Sequence, residues 1–287
     1  MPTLTYTSRR EELETYFDRT AAEAWSRLTS DAPVGRIRAT VRAGRNQMRD
    51  ILLGWLPIDL RGARLLDAGC GTGALAIEAA SRGADVVAVD ISPTLIQLAH
   101  ERTPALGGPG RVTFQVGDML DASLGRFDYV VAMDSLIHYR PADTVRVLSR
   151  LAPRVDDAIL FTFAPRTVAL SLMHAVGRLF PRTDRAPSIE PVAPDALLGL
   201  IDNEPELRHW EPARARRVAC GFYTSEALEL THTLAAPNRW RSPGRGSARA
   251  CCPSPTRPRA NSRSAGCCGC RSSRSRWASR QSCSPAR

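Results

Sequence analysis

The chain has 287 residues, of which 43% are apolar, and its 39 basic and 29 acidic residues give a formal net charge of +10. This apolar content is too high for a wholly disordered chain, and no run of about 18 apolar residues is present, so no transmembrane segment is expected. The polar first residues lack the pattern of a secretory signal peptide, and we therefore expect a cytoplasmic protein with reduced thiols.

The first sixty residues are predicted to be helical. Amphipathic segments cover residues 11–17 and 21–28, and a third helix runs from about residue 33 to Pro57, which ends it. Arginines recur along the third helix: Arg36, Arg38, Arg42, Arg45 and Arg49. We interpret this segment as a packing helix with a solvent-exposed arginine face, and we expect residues 1–60 to form an arm or lid.

From residue 63 onward, short apolar runs alternate with helical stretches. Predicted strands cover 63–66, 85–89, 111–116, 129–133 and 158–163, and predicted helices cover 72–81, 93–101 and 141–151. This alternation is typical of an α/β fold with a doubly wound, mostly parallel sheet, here predicted to have seven strands. The carboxyl ends of the strands meet at one edge, where such folds bind ligands, and we assign residues 61–164 to this Rossmann-like core.

The pattern is looser after the fifth strand. The remaining predicted elements are helices over 168–180 and 195–202 and strands over 207–210 and 218–224. The first of these helices is apolar but too short to span a bilayer. We assign residues 165–204 to a substrate cap and residues 205–232 to a β-hairpin that closes the sheet.

The basic charge of the chain is concentrated in residues 233–287. This segment contains 12 arginines, no acidic residue and six of the eight cysteines, whereas the rest of the chain has 27 basic and 29 acidic residues. Such an Arg-, Ser- and Cys-rich segment cannot bury enough apolar surface to fold. We expect it to be disordered or to arise from a frameshift.

Three interpretations of this segment remain open. An arginine-rich arm neutralises the phosphates of a nucleic acid, and a cysteine-rich segment can hold zinc, although the pairs Cys251-Cys252 and Cys267-Cys268 lack the usual spacing. The chain contains no lysine, which is typical of a GC-rich gene, and such a gene read out of frame yields these residue types. We favour a frameshift near residues 231–240 and predict neither a nucleic-acid partner nor a protein-bound metal.

A glycine-rich turn after the first predicted strand is the strongest motif. Residues 65–73 read LLDAGCGTG, so that Asp67 ends the strand and Gly69 and Gly71 let the backbone approach a ligand closely. Asp90 ends the next strand, where a carboxylate can accept both hydroxyls of a ribose. This spacing also fits the relaxed fingerprint of a dinucleotide-binding fold, so the turn alone leaves two cofactor classes open.

Three features favour S-adenosylmethionine as the ligand. Asp67 lies where the amino group of its amino-acid end needs a carboxylate, and the glycines are packed as GxGxG. The third strand ends at Asp118 and Met119, which suit the amino group and the ring face of an adenine. We add Met133, at the end of the fourth strand, to the predicted cofactor site. Residues 60–165 thus resemble the class I S-adenosylmethionine-dependent methyltransferases.

The end of the fourth strand narrows the substrate class. The Asn/Asp-Pro-Pro-Tyr/Phe motif of methyltransferases that act on DNA or protein amides is absent, and the segment reads MDSLIHY. This favours a small-molecule O-methyltransferase in which His138 faces the methyl group.

Further segments extend the resemblance over nearly all of residues 10–230. The run around Trp25, the sequence IHY at residues 137–139 and the sequence FAPRT at residues 163–167 resemble the magnesium-protoporphyrin IX O-methyltransferases of bacteriochlorophyll biosynthesis. Thr29 departs from the tyrosine that follows the corresponding Arg-Ile in chlorophyll-branch relatives, so a role for that tyrosine does not carry over.

The resemblance implies transfer of a methyl group from S-adenosylmethionine to one propionate of Mg-protoporphyrin IX, with the magnesium carried by the porphyrin. His138 is the implied catalytic residue, and the implied substrate residues are Tyr16, Trp25, Tyr139 and Arg166. Contact with Mg-chelatase and peripheral membrane association are further expectations. The alternatives are another small-molecule O-methyltransferase and a non-catalytic Mg-porphyrin carrier.

Overall fold

In the computed structural model, seven strands form one mixed sheet. They are β1 (Arg64–Ala68), β2 (Asp85–Asp90), β3 (Arg111–Val116), β4 (Phe127–Ala132), β5 (Val155–Phe163), β6 (Trp210–Cys220) and β7 (Tyr223–His232). Their order in the sheet is β3-β2-β1-β4-β5-β7-β6. The first five strands are parallel, and β7 pairs antiparallel with both β5 and β6. The predicted mostly parallel, seven-stranded Rossmann-like sheet of a class I methyltransferase is therefore confirmed.

Six α-helices connect or precede these strands in the described part of the chain. They are α1 (Leu4–Thr15), α2 (Arg36–Trp55), α3 (Ala74–Ser81), α4 (Pro93–Arg102), α5 (Pro141–Leu151) and α6 (Pro194–Asp202). A π-helical turn, Tyr16–Thr20, follows α1, and short 3-10 turns include Leu136–His138 and Pro205–Leu207. None of the described helices is long and apolar enough to cross a membrane.

The structure describes residues 4–20, 28–29, 33, 35–105, 107–166 and 189–233. Most of the predicted helix over 21–28, which carries Trp25, lies outside these residues. The predicted helix over 168–180 and residues 234–287 also lie outside them.

Two clusters of buried side chains sandwich the central strands. Neighbouring residues of one strand belong to different clusters: Ile159 packs with α5 and α6, whereas Leu160 packs with α2 and α3. This alternation explains why the central strands read as continuous apolar runs, since both faces of a parallel sheet are covered by helices. Met48 and Leu52 of α2 are fully buried in the second cluster, which fixes this helix on the sheet.

The closing hairpin is present, but the predicted bounds of its strands are wrong. The predicted strand over 207–210 is mostly the turn that precedes β6, and the one over 218–224 spans the turn between β6 and β7, where Gly221 has a φ of 57°. The reason is that β6 is an exposed edge strand rich in arginine. It therefore lacks the apolar alternation on which strand prediction depends.

Candidate functional site

The glycine-rich turn between β1 and α3 places backbone against a cavity. Gly69 has a φ of 85° and Gly71 a φ of 55°, conformations that side-chain-bearing residues rarely adopt. A Cβ atom on Gly69 would lie 2.4 Å from the Cβ of Ser135, which follows β4. Glycine is therefore required at this position because two loops of the site pack against one another there.

Asp90 is held in one orientation by backbone donors. Its carboxylate accepts a 2.8 Å hydrogen bond from the N–H of Gly71 and a 3.0 Å hydrogen bond from the N–H of Ser92. Burial raises the pKa of Asp90 above its usual value, and the backbone hydrogen bonds oppose that shift. The spare lone pairs of the carboxylate remain as acceptors for a ligand.

Asp67 has an acceptor atom that the described protein leaves unsatisfied. Its Oδ2 is buried and has no hydrogen-bond partner among the described residues, and the same holds for the hydroxyl oxygen of Ser135. Burial, followed by the nearby charge of Asp90, raises the pKa of Asp67 to about 7. Buried polar atoms are normally paired, so these two oxygens indicate a polar ligand.

These residues line a cavity of about 230 Å³ at the carboxyl ends of the strands. Eight of the twelve predicted site residues lie in its wall: Asp67, Gly69, Gly71, Asp90, Met119, Met133, His138 and Tyr139. The parallel sheet brings them together from strands that are distant in sequence, as expected for ligand sites in this class of fold.

Asp118 lies beside the cavity and anchors α1. It accepts hydrogen bonds from the hydroxyl of Tyr6 at 2.8 Å, from a guanidinium N–H of Arg10 at 3.1 Å and from the backbone N–H of Leu120 at 2.9 Å. The ring of Tyr6 is stacked on Tyr139 with a centroid distance of 5.0 Å. Tyr6, a cavity residue that the sequence did not indicate, thus joins α1 to the rim of the site.

His138 lies in the 3-10 turn after β4 and is half-buried. Its backbone oxygen accepts a 2.9 Å hydrogen bond from Nε of Arg9, and its ring lies edge-on to Phe17 at 5.8 Å between centroids. Phe17, from the turn after α1, also lines the cavity. The N-terminal segment therefore covers the part of the cavity that holds His138.

An ion pair between α2 and the segment after β4 forms another wall of the cavity. Arg45 donates to Oδ2 of Asp134 at 2.5 Å, and their side chains are 19% and 4% exposed. Asp134 also accepts hydrogen bonds from the hydroxyls of Tyr223, Ser225 and Thr162. The predicted solvent-exposed arginine face is wrong here, because Arg42, Arg45 and Arg49 line the cavity.

The sequence contained a signal for this wall that the interpretation missed. Positions 42, 45 and 49 recur with the three- and four-residue spacing of one helix face. The partner, Asp134, is 89 residues from Arg45, and its backbone has a φ of 54°, which is unusual for a residue other than glycine. Only the fold brings these residues together.

The remaining predicted substrate residues are not brought to the cavity wall. Tyr16 packs edge-on against Phe17 at 5.3 Å and is not among the residues that line the cavity. Arg166 is exposed after β5, where its N–H donates to the carbonyl oxygen of Val192 at 2.9 Å. Trp25 lies outside the described residues.

The wall of the cavity fits S-adenosylmethionine. The unsatisfied oxygen of Asp67 suits an ammonium group, the oriented carboxylate of Asp90 suits ribose hydroxyls, and Gly69 and Gly71 place backbone at the cavity wall. Among the described residues, no cluster of three or more His, Cys, Asp or Glu side chains is arranged to hold a metal ion.

Two family models match the chain. The model described as magnesium-protoporphyrin IX methyltransferase C-terminus matches residues 132–232, and the model described as methyltransferase domain matches residues 65–156. Together the matches run from β1 to the end of β7.

Curated proteins and a solved structure give the same result. A magnesium-protoporphyrin O-methyltransferase from Rhodobacter capsulatus is 52% identical over 227 residues, covering 78% of this chain and 97% of that protein. A protein of the same name from Synechocystis is 32% identical over 224 residues, covering 76% and 94%. The crystal structure of a Synechocystis magnesium protoporphyrin IX methyltransferase with bound SAH matches with a TM-score of 0.68 at 28% identity, covering 77% of this chain and 99% of that one.

Proposed function

The chain belongs to the magnesium-protoporphyrin O-methyltransferase family, and we propose that it methylates one propionate of Mg-protoporphyrin IX to give the monomethyl ester in (bacterio)chlorophyll biosynthesis. S-adenosylmethionine is the co-substrate, and S-adenosylhomocysteine is the second product. The observation that carries the proposal is one cavity whose wall contains both Asp67, with its unsatisfied buried oxygen, and His138.

When bound, S-adenosylmethionine supplies an activated methyl group on a positively charged sulfur. Asp67 would accept hydrogen bonds from its ammonium group through Oδ2, and Asp90 would accept from the ribose hydroxyls. Met119 and Met133 would pack on the flat and apolar parts of the ligand. Asp118 is the proposed acceptor for the adenine amino group, while it also holds Tyr6 and Arg10 of α1.

The carboxylate that receives the methyl group needs orientation more than activation. A propionate is ionised at pH 7, so no strong general base is required. His138 would donate a hydrogen bond to one carboxylate oxygen and leave the other aimed at the methyl group. A carboxylate is more reactive in a site from which water is excluded, which Phe17 and Tyr6 would help to achieve.

The N-terminal segment is the proposed lid. Within residues 1–60, α2 is fixed to the sheet by buried side chains such as Met48. Helix α1 buries Tyr6 and Leu13 in the first cluster and also contacts the rim of the site through hydrogen bonds of Tyr6, Arg9 and Arg10. We place the moving part in α1 and the turn after it. The domain assignment is also a proposal: residues 61–164 and 205–232 as the core and residues 165–204 as the substrate cap, within which α6 packs in the first core cluster.

Two interactions follow from the substrate rather than from the structure. Mg-protoporphyrin IX is large, flat and poorly soluble in water, so we propose that the protein receives it by contact with Mg-chelatase or at a membrane surface, as a cytoplasmic enzyme that associates peripherally. Co-sedimentation with lipid vesicles and capture by immobilised Mg-chelatase, each with and without bound porphyrin, test these contacts.

The test of the proposed function is transfer of a labelled methyl group from S-adenosylmethionine to Mg-protoporphyrin IX, with metal-free protoporphyrin as the control. We expect label in the monomethyl ester of the magnesium porphyrin only. If the cofactor binds but neither porphyrin is labelled and Mg-protoporphyrin does not bind, the chain is a methyltransferase for another small molecule. If Mg-protoporphyrin binds without turnover, the chain is a carrier.

A further inference from the structure

Arg49 is an arginine of the ligand cavity that is not yet assigned a role. It lies on α2 one turn beyond Arg45, and it lines the cavity with Arg42, Arg45 and Asn46. The side chain is half-buried. Arg42, Arg45 and Arg49 form a row along α2, and Arg49 is the member of this row nearest to the buried residues Leu52 and Leu53.

The other two arginines of the row already have partners. Arg45 forms the 2.5 Å ion pair with Asp134, and Nε of Arg42 donates to the carbonyl oxygen of Leu28 at 3.0 Å. The side chain of Arg49 has neither a hydrogen bond nor an ion pair with any residue in the part of the chain that the structure describes.

The carboxylates of the cavity wall do not supply the missing partner. Asp134 is paired with Arg45, and Asp90 is held by the backbone N–H groups of Gly71 and Ser92. Asp67 has an unsatisfied oxygen, but it makes no ion pair with an arginine among the described residues. Among the described residues, no carboxylate therefore compensates the charge of the Arg49 guanidinium group.

An unpaired charge that is partly removed from water is unfavourable, and a carboxylate relieves the cost best. The guanidinium group presents two parallel N–H donors that match the two oxygens of a carboxylate. We propose that Arg49 binds a carboxylate of a ligand in this cavity. This inference rests on the proposed function for the identity of the ligands, and both of them carry such a group.

Two ligands of the proposed reaction carry a carboxylate that Arg49 could bind. One is the α-carboxylate of S-adenosylmethionine, and the other is a propionate of Mg-protoporphyrin IX. Each source has an analogue that lacks only the carboxylate charge: decarboxylated S-adenosylmethionine for the first, and the dimethyl ester of Mg-protoporphyrin IX for the second. Binding titrations with these four compounds identify the source without any turnover.

The experiment compares the full-length protein with Arg49→Met, Arg49→Lys and the control Arg38→Met, which alters an exposed arginine of the same helix outside the cavity. We expect Arg49→Met to weaken binding of one carboxylate ligand by about ten- to a hundredfold, as for a lost charge-assisted hydrogen bond. Binding of its carboxylate-free analogue stays unchanged. Arg49→Lys recovers part of the loss, because it keeps the charge but not the paired donors. Arg38→Met binds all four compounds as the wild type does.

Two results would overturn the proposal. One is wild-type affinity of Arg49→Met for both carboxylate ligands, and the other is an equal loss of affinity for a ligand and its carboxylate-free analogue. Thermal unfolding of both Arg49 variants shows whether they are folded. If the wild-type protein binds no Mg-porphyrin, the proposed function fails, and the cofactor titrations still decide the role of Arg49.

Discussion

Arg45 of α2 and Asp134 after β4 are 89 residues apart in the sequence and form an ion pair with an N–O distance of 2.5 Å. The pair joins α2 to the segment after β4 at the cavity wall, and Tyr223 of β7 donates to the same carboxylate at 3.0 Å. Three distant parts of the chain thus meet at one buried carboxylate.

We expect Arg45→Met to lower the free energy of unfolding by about 3–5 kcal/mol, because it leaves the charge of Asp134 buried without its counter-ion. Urea unfolding measures the change. The control is Arg38→Met on the same helix, where loss of an exposed charge should cost less than about 0.5 kcal/mol. Equal stability of the two variants would contradict a structural role for the pair.

Replacing either of two glycines of α2 with alanine should change the stability of the protein, in opposite directions. A Cβ on Gly44 would lie 2.4 to 2.8 Å from ring and Cβ atoms of Tyr223, whereas a Cβ on Gly54 would meet nothing within 4 Å. Gly44→Ala should therefore destabilise the protein by about 1–3 kcal/mol through overpacking. Gly54→Ala should stabilise it by at most about 0.5–1 kcal/mol, the propensity difference for a helix interior, because Gly54 lies in the last turn of α2. Thermal unfolding of both variants tests the close contact between α2 and β7, and stabilisation by Gly44→Ala would argue against it.

The contrast between the two halves of the site shows what sequence can supply. Asp67 and Gly69 follow from a buried strand that ends in a glycine turn, and Asp90 from the end of the next buried strand. The fold places all three in the wall of one cavity. No local sequence pattern predicts that Arg45, Asp134 and Tyr223 meet, since each of them could equally be an ordinary surface or packing residue of its own element. An arginine on an amphipathic helix is usually solvated, and only the packing of α2 on β7 turns these side chains inward.

The same limit explains the errors in the hairpin. The strands β1 to β5 were predicted because apolar runs and turn signals agree, and the bounds of β3 and α5 match the prediction at both ends. The arginine-rich sequence of β6 does not indicate a strand, and β6 is extended because it pairs with β7. Tertiary pairing, rather than local propensity, decides such an edge strand.

Affinity for S-adenosylmethionine should rise with pH through about 7, the value to which burial and the charge of Asp90 raise the pKa of Asp67. The cation requires ionised Asp67, so below this pH binding must release a proton, and affinity falls as pH falls. Calorimetric titrations from pH 6 to 8.5 in buffers of different ionisation enthalpy measure both effects. Asp67→Asn should bind weakly at every pH and lose the proton release.

The same shift predicts a change in the stability of the ligand-free protein. Because the pKa of Asp67 is raised on folding, the native state holds more protons than the unfolded state between its ordinary pKa and about pH 7. The free energy of unfolding therefore decreases as pH rises through this window. Asp67→Asn should flatten that dependence and be the more stable form above pH 7, and an unchanged pH profile would show that Asp67 does not cause it.

His138→Ala should lower kcat by about a hundredfold or more, because the propionate loses the hydrogen-bond donor proposed to orient it. The dissociation constant for S-adenosylmethionine should stay unchanged, which separates orientation of the substrate from damage to the cofactor site. His138→Gln, which retains a donor, should recover part of the rate. The control is His100→Ala, an exposed histidine on α4 outside the cavity. Full turnover by a folded His138→Ala protein would remove this residue from the mechanism.

The arginine- and cysteine-rich residues 234–287 lie outside both family-model matches. The fold closes before them: Trp210 pairs with His232, and the N–H of Thr233 donates to the carbonyl oxygen of His209 at 2.7 Å. A chain ending at Thr233 keeps all of these contacts, so it should match the full chain in methyl transfer and in the free energy of unfolding. A lower rate for the shorter chain would give the segment a part in the reaction. Salt-dependent binding of nucleic acid by the full chain alone would favour the arm interpretation over the frameshift.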